Sequence, residues 1–236
     1  MPHAKRIKGD KIMSLSKLTQ PLSLKQQAYE GIKNAIIDHT IAPGEVLYER
    51  KLSEELGISR TPIREAIPLL ELEGWVTSIP RKGTLVSSIT VKDVEEVIQI
   101  RRGLEVLVVE LLIPIISEEQ ISMIEQLYQQ QVKLQKENKL FISTDKDFHI
   151  FLAELSGNRR LVNLVQTVSD QMRWFGISAS YLPNRIEETL KEHSAIIDCL
   201  KEKDVDKAKK AVLNHIDLTR EAVLASLKNK EGDVSK

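Results

Sequence analysis

Residues 59–75 read SRTPIREAIPLLELEGW, opening on Ser59, Arg60, Thr61, Pro62 and Arg64 and then turning apolar, with Pro68 in the middle. One helix carries both halves if its first turn faces an anion while its later turns pack into a small core. Thr61 is expected to cap that helix, with Pro62 at the first helical position, where a missing N–H costs nothing. Gly74 is expected to end it.

Upstream, Leu24, Ala28, Ile32, Ala35 and Ile36 recur at spacings of three and four, which predicts an amphipathic helix from Leu24 to Asp38. Pro43-Gly44 marks a turn, and a second helix over about Glu49 to Leu56 closes at Gly57. Downstream, WVTSIP and TLVSSI read as two strands separated by Arg81-Lys82-Gly83, whose glycine permits the turn. Three helices and a hairpin within residues 24–90 describe a winged helix-turn-helix. In that fold the third helix lays its first residues in the major groove of double-stranded DNA.

Arg60 and Arg64 are four apart, hence on one face, at a helix start that also favours phosphate. A guanidinium can grip guanine bidentately, worth about 1–3 kcal/mol against a wrong base. Arg50 would reach the DNA backbone, and Lys82 and Gly83 at the hairpin tip could approach the minor groove. Read singly, each is equally an ordinary surface charge. The order of helices and hairpin favours DNA contact.

The stretch ERKLSEELGISRTPIREAI…LELEGWV…RKGTLV resembles the N-terminal DNA-reading part of the GntR family of bacterial transcription regulators, over roughly residues 24–90. The resemblance implies DNA-contacting roles for Arg50, Arg60, Thr61, Arg64 and Gly83. Pro68 departs from the pattern, standing where such proteins often carry Arg or another helix former. An interior proline removes the hydrogen bond to the Arg64 carbonyl and tends to kink a helix. Contacts beyond Arg64 are therefore not carried over.

Composition bounds the rest. The chain has 236 residues, 42% of them apolar, enough for one large or two modest domains. Lys+Arg and Asp+Glu both number 34, so any surface for nucleic acid must be local. Cys199, the only cysteine, excludes an internal disulfide, suits a reducing cytoplasm and reads as core filler. The greasiest stretch, Leu104 to Ile116, is interrupted by Glu105, Glu110 and Pro114 and is too short to span a membrane. Residues 1–23 read as a flexible basic arm without the apolar run of a signal peptide, with Met13 as an alternative start, and residues 229–236 as a disordered tail.

Beyond Thr90, which is expected to cap with Asp93, the pattern is helical throughout: 92–113, 118–137, 139–156, 159–180, 184–202 and 204–228. The fold class is therefore mainly α, a winged helix-turn-helix followed by an all-α six-helix bundle over residues 91–228. Polar residues interrupt its apolar stripes. Asp145 and His149 align with Phe141, Phe148, Leu152 and Leu155; His193 lies among Ile186, Leu190, Ile197 and Leu200; His215 lies among Ala208, Ala211, Val212 and Ala222.

Burying one unpaired polar side chain costs on the order of 1–3 kcal/mol, so these four need common partners. A divalent metal would satisfy them at once, and imidazole with carboxylate suits zinc, nickel, manganese or iron, zinc being the form expected as purified. A metal-free Asp–His network would also serve. Arg101 shares a stripe with Val94, Val97, Ile98, Leu104 and Val108. It either pairs with Glu105 or clamps a carboxylate ligand.

DKDFHIFLAELSGN, EHSAIIDCLKEKDVDKAKKAVLNH and IRRGLE resemble the FCD effector domain that follows the GntR reader in the FadR subfamily, over roughly residues 92–227. That resemblance implies that Asp145, His149, His193 and His215 are metal ligands and that Arg101 lies near a pocket for small carboxylic acids. The expected function is a cytoplasmic, ligand-responsive regulator, a repressor, that binds a pseudo-palindromic operator as a homodimer. The alternatives are a metalloenzyme with an accessory DNA-binding-like domain, for which no further inward Glu or His offers a proton shuttle, and a metal-free dimeric DNA-binding protein.

Overall fold

The computed structural model describes the backbone of residues 22–234 and the side chains of residues 22–229. The expected flexible arm, apart from residues 22 and 23, lies outside the described residues. Three helices come first: α1 (Leu24–Ile37), α2 (Glu49–Leu56) and α3 (Arg60–Leu72). Gly57 closes α2 in the left-handed conformation at φ 65°, which a glycine adopts without the Cβ penalty.

The start of α3 differs from expectation. Ser59 is the N-cap, so Thr61 and Pro62 are the second and third helical residues. Both sequences of choices put a cap residue before the apolar run, and Pro62 still falls in the first turn, whose N–H groups have no intrahelical acceptor. The helix runs unbroken through Pro68 to Leu72. Ile63, Ala66 and Leu70 bury its inner face against α1.

The hairpin is formed by β1 (Val76–Ile79) and β2 (Gly83–Val86), antiparallel, with Val76 opposite Val86 and Ile79 opposite Gly83. A further pairing was not evident from sequence. Val46 bridges Leu85, with the Leu47 N–H donating to the Thr84 carbonyl and the Val86 N–H to the Glu45 carbonyl. The stretch before α2 thereby anchors the wing to the helices.

Six helices follow: α4 (Val91–Leu112), α5 (Glu118–Lys133), α6 (Asn138–Leu155), α7 (Arg159–Ala179), α8 (Arg185–Glu202) and α9 (Val205–Val234). Thr90 and Asp93 form the expected capping box. α5 stops at Lys133, four residues short of expectation. The tail expected from residue 229 is helical as far as Val234. Cys199 is half-buried against the core. No described helix is long and apolar enough to cross a membrane.

The two halves share one apolar core. α1 packs on α7, and Trp75 meets Trp174 with ring centroids 5.3 Å apart. Polar links flank the indoles. Lys33 pairs with Asp170 at 2.8 Å, Arg173 with Asp38, and His39 Nε2 lies 3.0 Å from the Trp174 carbonyl.

Candidate metal centre and nucleic-acid face

Four helices of the bundle each turn polar groups inward. α4 brings Arg101 and Glu105, α6 brings Asp145 and His149, α8 brings Glu192 and His193, and α9 brings His215. The three imidazoles are buried, His193 completely. Their rings lie 4.8–5.3 Å apart, centroid to centroid. One ligand atom from each of Asp145, His149, His193 and His215 falls within 4.8 Å of the others. The four side chains singled out from the stripes therefore do meet at one place.

Their outer atoms are held from behind. His193 Nδ1 lies 3.0 Å from Gln131 Oε1, and the Gln131 amide nitrogen donates to the Thr144 carbonyl at 3.1 Å. That leaves the Gln131 oxygen as acceptor, so His193 carries its proton on Nδ1 and a lone pair on Nε2. His215 Nδ1 donates to Glu192 Oε2 at 2.7 Å, with the same consequence for its Nε2. His149 Nδ1 sits 2.9 Å from Glu105 Oε2, off the line of a good hydrogen bond. Partners of this kind orient metal-ligating histidines.

His193 Nε2 is the test of fit. It is buried with no hydrogen-bond partner, and lies 3.4 Å from Asp145 Oδ1. A buried orphan lone pair facing a carboxylate is costly unless a cation lies between them. Three imidazole nitrogens and one carboxylate fit a divalent transition metal and leave coordination positions open.

The electrostatics agree. Burial, then the neighbouring imidazoles and Arg101, hold His193 well below the ordinary imidazole range; burial, His149 and Arg101 do the same for His215. Neutral imidazoles are the form a metal needs. Burial pushes the Asp145 carboxyl up despite His149 and Arg101. Burial would also raise Glu105, but Arg101 and His149 outweigh it and keep that carboxylate ionised.

Arg101 is buried as expected and pairs with Glu105, the first of the two roles open to it. Its Nε donates to Glu105 at 2.5 Å. Its Nη2 reaches into the cluster, 2.7 Å from His149 Nε2 and 3.3 Å from His215 Nε2. An ion held by these residues would compete with the guanidinium for the same lone pairs. Beside them a cavity of about 40 Å³ is lined by Arg101, Asp145, Arg185, Phe141, Met172 and Val223, among others.

Gln131, Glu192 and Arg185 were missed from sequence. Gln131 had a signal, since it lies seven residues after Ile124 on the buried stripe of α5. Arg185 grips Glu192 through both guanidinium nitrogens at 2.6 and 3.1 Å, fixing the carboxylate that orients His215.

At the other end of the molecule, Arg50, Arg60, Thr61, Arg64, Lys82 and Gly83 are all exposed. A groove between the starts of α2 and α3 and the hairpin tip gathers Arg50, Arg60, Lys82 and Gly83. Gly83 there has φ 94°. Arg64 points elsewhere in part, its Nε bonded to Glu49 at 2.7 Å. Tyr48, exposed in the same groove, had not been anticipated.

Comparison with known proteins follows the same division. The family described as bacterial regulatory proteins, gntR family, matches residues 24–86, and the FCD domain matches residues 96–218. An uncharacterized HTH-type transcriptional regulator, YdhC of Bacillus subtilis (strain 168), is 36% identical over 202 residues, 84% of this chain and 90% of its own. The HTH-type transcriptional repressor RspR of Escherichia coli (strain K12) is 30% identical over 211 residues, 87% of this chain and 90% of its own. Among solved structures, E. coli McbR/YncC shares the fold at TM-score 0.74 and 19% identity, over 89% of this chain and all of that one. A transcriptional regulator GntR from Rhodococcus sp. RHA1 does so at TM-score 0.74 and 21% identity, over 85% of this chain and 97% of its own. The curated relatives are transcriptional regulators, not enzymes.

Proposed function

This chain belongs to the GntR family of bacterial regulatory proteins and carries an FCD domain, and from that membership we propose that it is a cytoplasmic, metal-dependent repressor that senses a small carboxylic acid. It binds a pseudo-palindromic operator as a homodimer, since one small reader makes too few contacts for operator affinity. Arg60 and Arg64 read base edges, Thr61 and Arg50 hold the backbone, and Lys82 and Gly83 approach the minor groove. Domain limits are taken as 24–90 for the reader and 91–228 for the effector and dimerisation unit.

Asp145, His149, His193 and His215 hold a divalent ion, zinc as purified, with nickel, manganese and iron fitting the same donors. Bound there, the ion supplies a Lewis-acid point for a carboxylate oxygen. Gln131, Glu192 and Glu105 keep the imidazoles oriented, and Arg101 neutralises the acid. The observation that carries this reading is the buried, partnerless His193 Nε2 facing Asp145.

Occupancy of the pocket changes operator affinity only through a difference in affinity between two arrangements of the readers. Support for a physical link comes from α6. Lys146, the neighbour of Asp145, pairs with Asp170 on α7 at 2.5 Å, and Asp170 also pairs with Lys33 of the reader. The test is operator binding by fluorescence anisotropy, with zinc-loaded and zinc-free protein, across a panel of metabolite carboxylates. An acid that shifts affinity only in the loaded protein supports the switch; indifference to every acid and to zinc overturns it.

A second reading rests on Arg101. Its Nη2 already donates to the His149 and His215 lone pairs, so the cluster could be a structural network in a metal-free DNA-binding protein. Elemental analysis of zinc-incubated protein separates the two.

A further inference from the structure

Most of the bundle scatters its exposed apolar side chains. Among the described residues α5, α6, α7 and α9 each leave a single large hydrophobic residue well exposed, Met123, Leu140, Leu164 and Leu218, and α8 leaves none. Isolated residues of this kind are ordinary surface. On α4 they line up. Ile100, Leu107 and Leu111 are 55%, 38% and 37% exposed, and Ile115, just past the helix end, is 60% exposed. Spacings of seven and four put the first three on one face, with half-buried Leu104 between Ile100 and Leu107.

The same stretch shows no exposed charge. Between residues 97 and 116 every exposed residue is uncharged. The ionic side chains there are all paired within the chain: Arg101 with buried Glu105, and, along the flank that meets α9, Arg102 with Asp217 and Glu110 with Lys209 at 2.5 Å. An apolar middle edged by satisfied polar groups is the anatomy of a protein interface.

Gly103 is a second observation. It lies exposed beside the stripe, three residues after Ile100 and four before Leu107, inside a 22-residue helix, where glycine is a poor choice. A Cβ built on it would meet nothing within 4 Å. Nothing among the described residues therefore requires the glycine, whereas close approach by a second helix would.

The lack of charge selects the occupant. Nucleic acid and charged peptides are recognised through ion pairs that this stripe does not offer. A two-fold axis lays a patch on its own copy, where like charges would meet, and an uncharged stripe suits that contact. We infer that the outer face of α4, from Ile100 to Leu111, packs on the same face of a second copy of this chain, with Gly103 letting the two helices approach. The inference rests on the reading that the chain works as a homodimer, and names the surface that makes it. Four residues separate β2 from α4, so joining two α4 helices also sets the distance between the two readers.

Sedimentation velocity of the full chain over a range of concentrations tests it, with Gly103→Gln, Leu107→Glu and, as a control on α5, which packs on α6 and α8, Met123→Glu. The parent chain and Met123→Glu are expected to be equally tight dimers. The dissociation constant should rise at least about tenfold in Gly103→Gln and at least about a hundredfold in Leu107→Glu, which brings two like charges into the contact. Circular dichroism checks folding; if Leu107→Glu fails to fold, Gly103→Gln decides, since its added side chain starts in open space. A dimer as tight as the parent's in Gly103→Gln or in folded Leu107→Glu overturns the inference and leaves the homodimer standing, as does equal weakening in Met123→Glu. A parent chain that stays monomeric overturns the inference and the homodimer together.

Discussion

Lys33 of the reader and Asp170 of the bundle form an ion pair, Nζ to Oδ2 at 2.8 Å, in the seam between α1 and α7. Asp170 Oδ1 accepts from Lys146 at 2.5 Å, so one carboxylate holds two ammonium groups from different halves of the chain. Both lysines hold its pKa down against burial, and the side chain is only 15% exposed. Asp170→Asn takes the shared anion from both lysines, leaving Lys33 with Glu73 alone at 3.6 Å. Removing one partner of a fully buried pair costs about 3–5 kcal/mol; with partial exposure the expected loss is about 1–3 kcal/mol, a fall in melting temperature of roughly 3–10 °C for a chain of this size. Differential scanning calorimetry reads it, and an unchanged melting temperature contradicts the importance of this pair.

Arg101→Met makes the two functions of that side chain move in opposite directions. The variant loses a cation and a competitor next to His149 and His215, so zinc binds more tightly than to the parent chain. Without the guanidinium, acids lose their partner and the operator no longer responds to them. Parallel titrations of zinc and of acid measure both; weaker zinc binding in the variant would show that Arg101 supports the metal rather than competing with it.

Acid should destabilise the zinc-free protein. His193 and His215 have folded-state pKa values far below that of an unfolded imidazole. Below pH of about 6.5 the unfolded chain therefore binds protons that the folded chain refuses. Their contribution is fully present above that pH and is lost as pH falls below it. Asp145, raised by burial, works in the opposite sense at lower pH, above the ordinary carboxylate value. Melting temperatures in chelator should thus fall from about pH 6.5 downward, and less steeply in His193→Gln; a profile unaltered by that substitution counts against the assignment.

On DNA, Arg60 and Arg50 should separate. Arg60, at the start of α3, is exposed in the groove, and Arg60→Ala is expected to cost about 1–3 kcal/mol and to relax preference at one base pair. Arg50→Ala is expected to weaken binding to all sequences and lower the salt slope by about 1. Competition assays with substituted operators at several salt concentrations distinguish these outcomes. Equal losses on every sequence for Arg60→Ala would make it a backbone contact.

Much of this was legible because it is local. Asp145 and His149 are one helical turn apart, and His193 and His215 replace apolar residues in regular stripes, so periodicity alone pointed all four inward. Gly57 and Gly74, both at positive φ, sit where the helical patterns stop. What escaped was decided by partners distant in the chain. Glu192 lies beside His193 but off the Ile186–Leu190–Ile197–Leu200 series, and its burial depends on Arg185 and His215 closing over it. The Val46–Leu85 bridge and the Lys33–Asp170–Lys146 chain likewise exist only once elements have docked. The cap of α3 was missed by two residues because Ser59 and Thr61 are both good caps and Arg60 is neutral between them.

Native mass spectrometry of the full chain, after zinc loading and removal of free metal, addresses the metal site most directly. The prediction is one zinc per chain, with His193→Ala and Asp145→Asn each losing it while staying folded by circular dichroism. A loaded sample that carries no zinc, or a His193→Ala variant that keeps it, contradicts an ion held between His193 and Asp145.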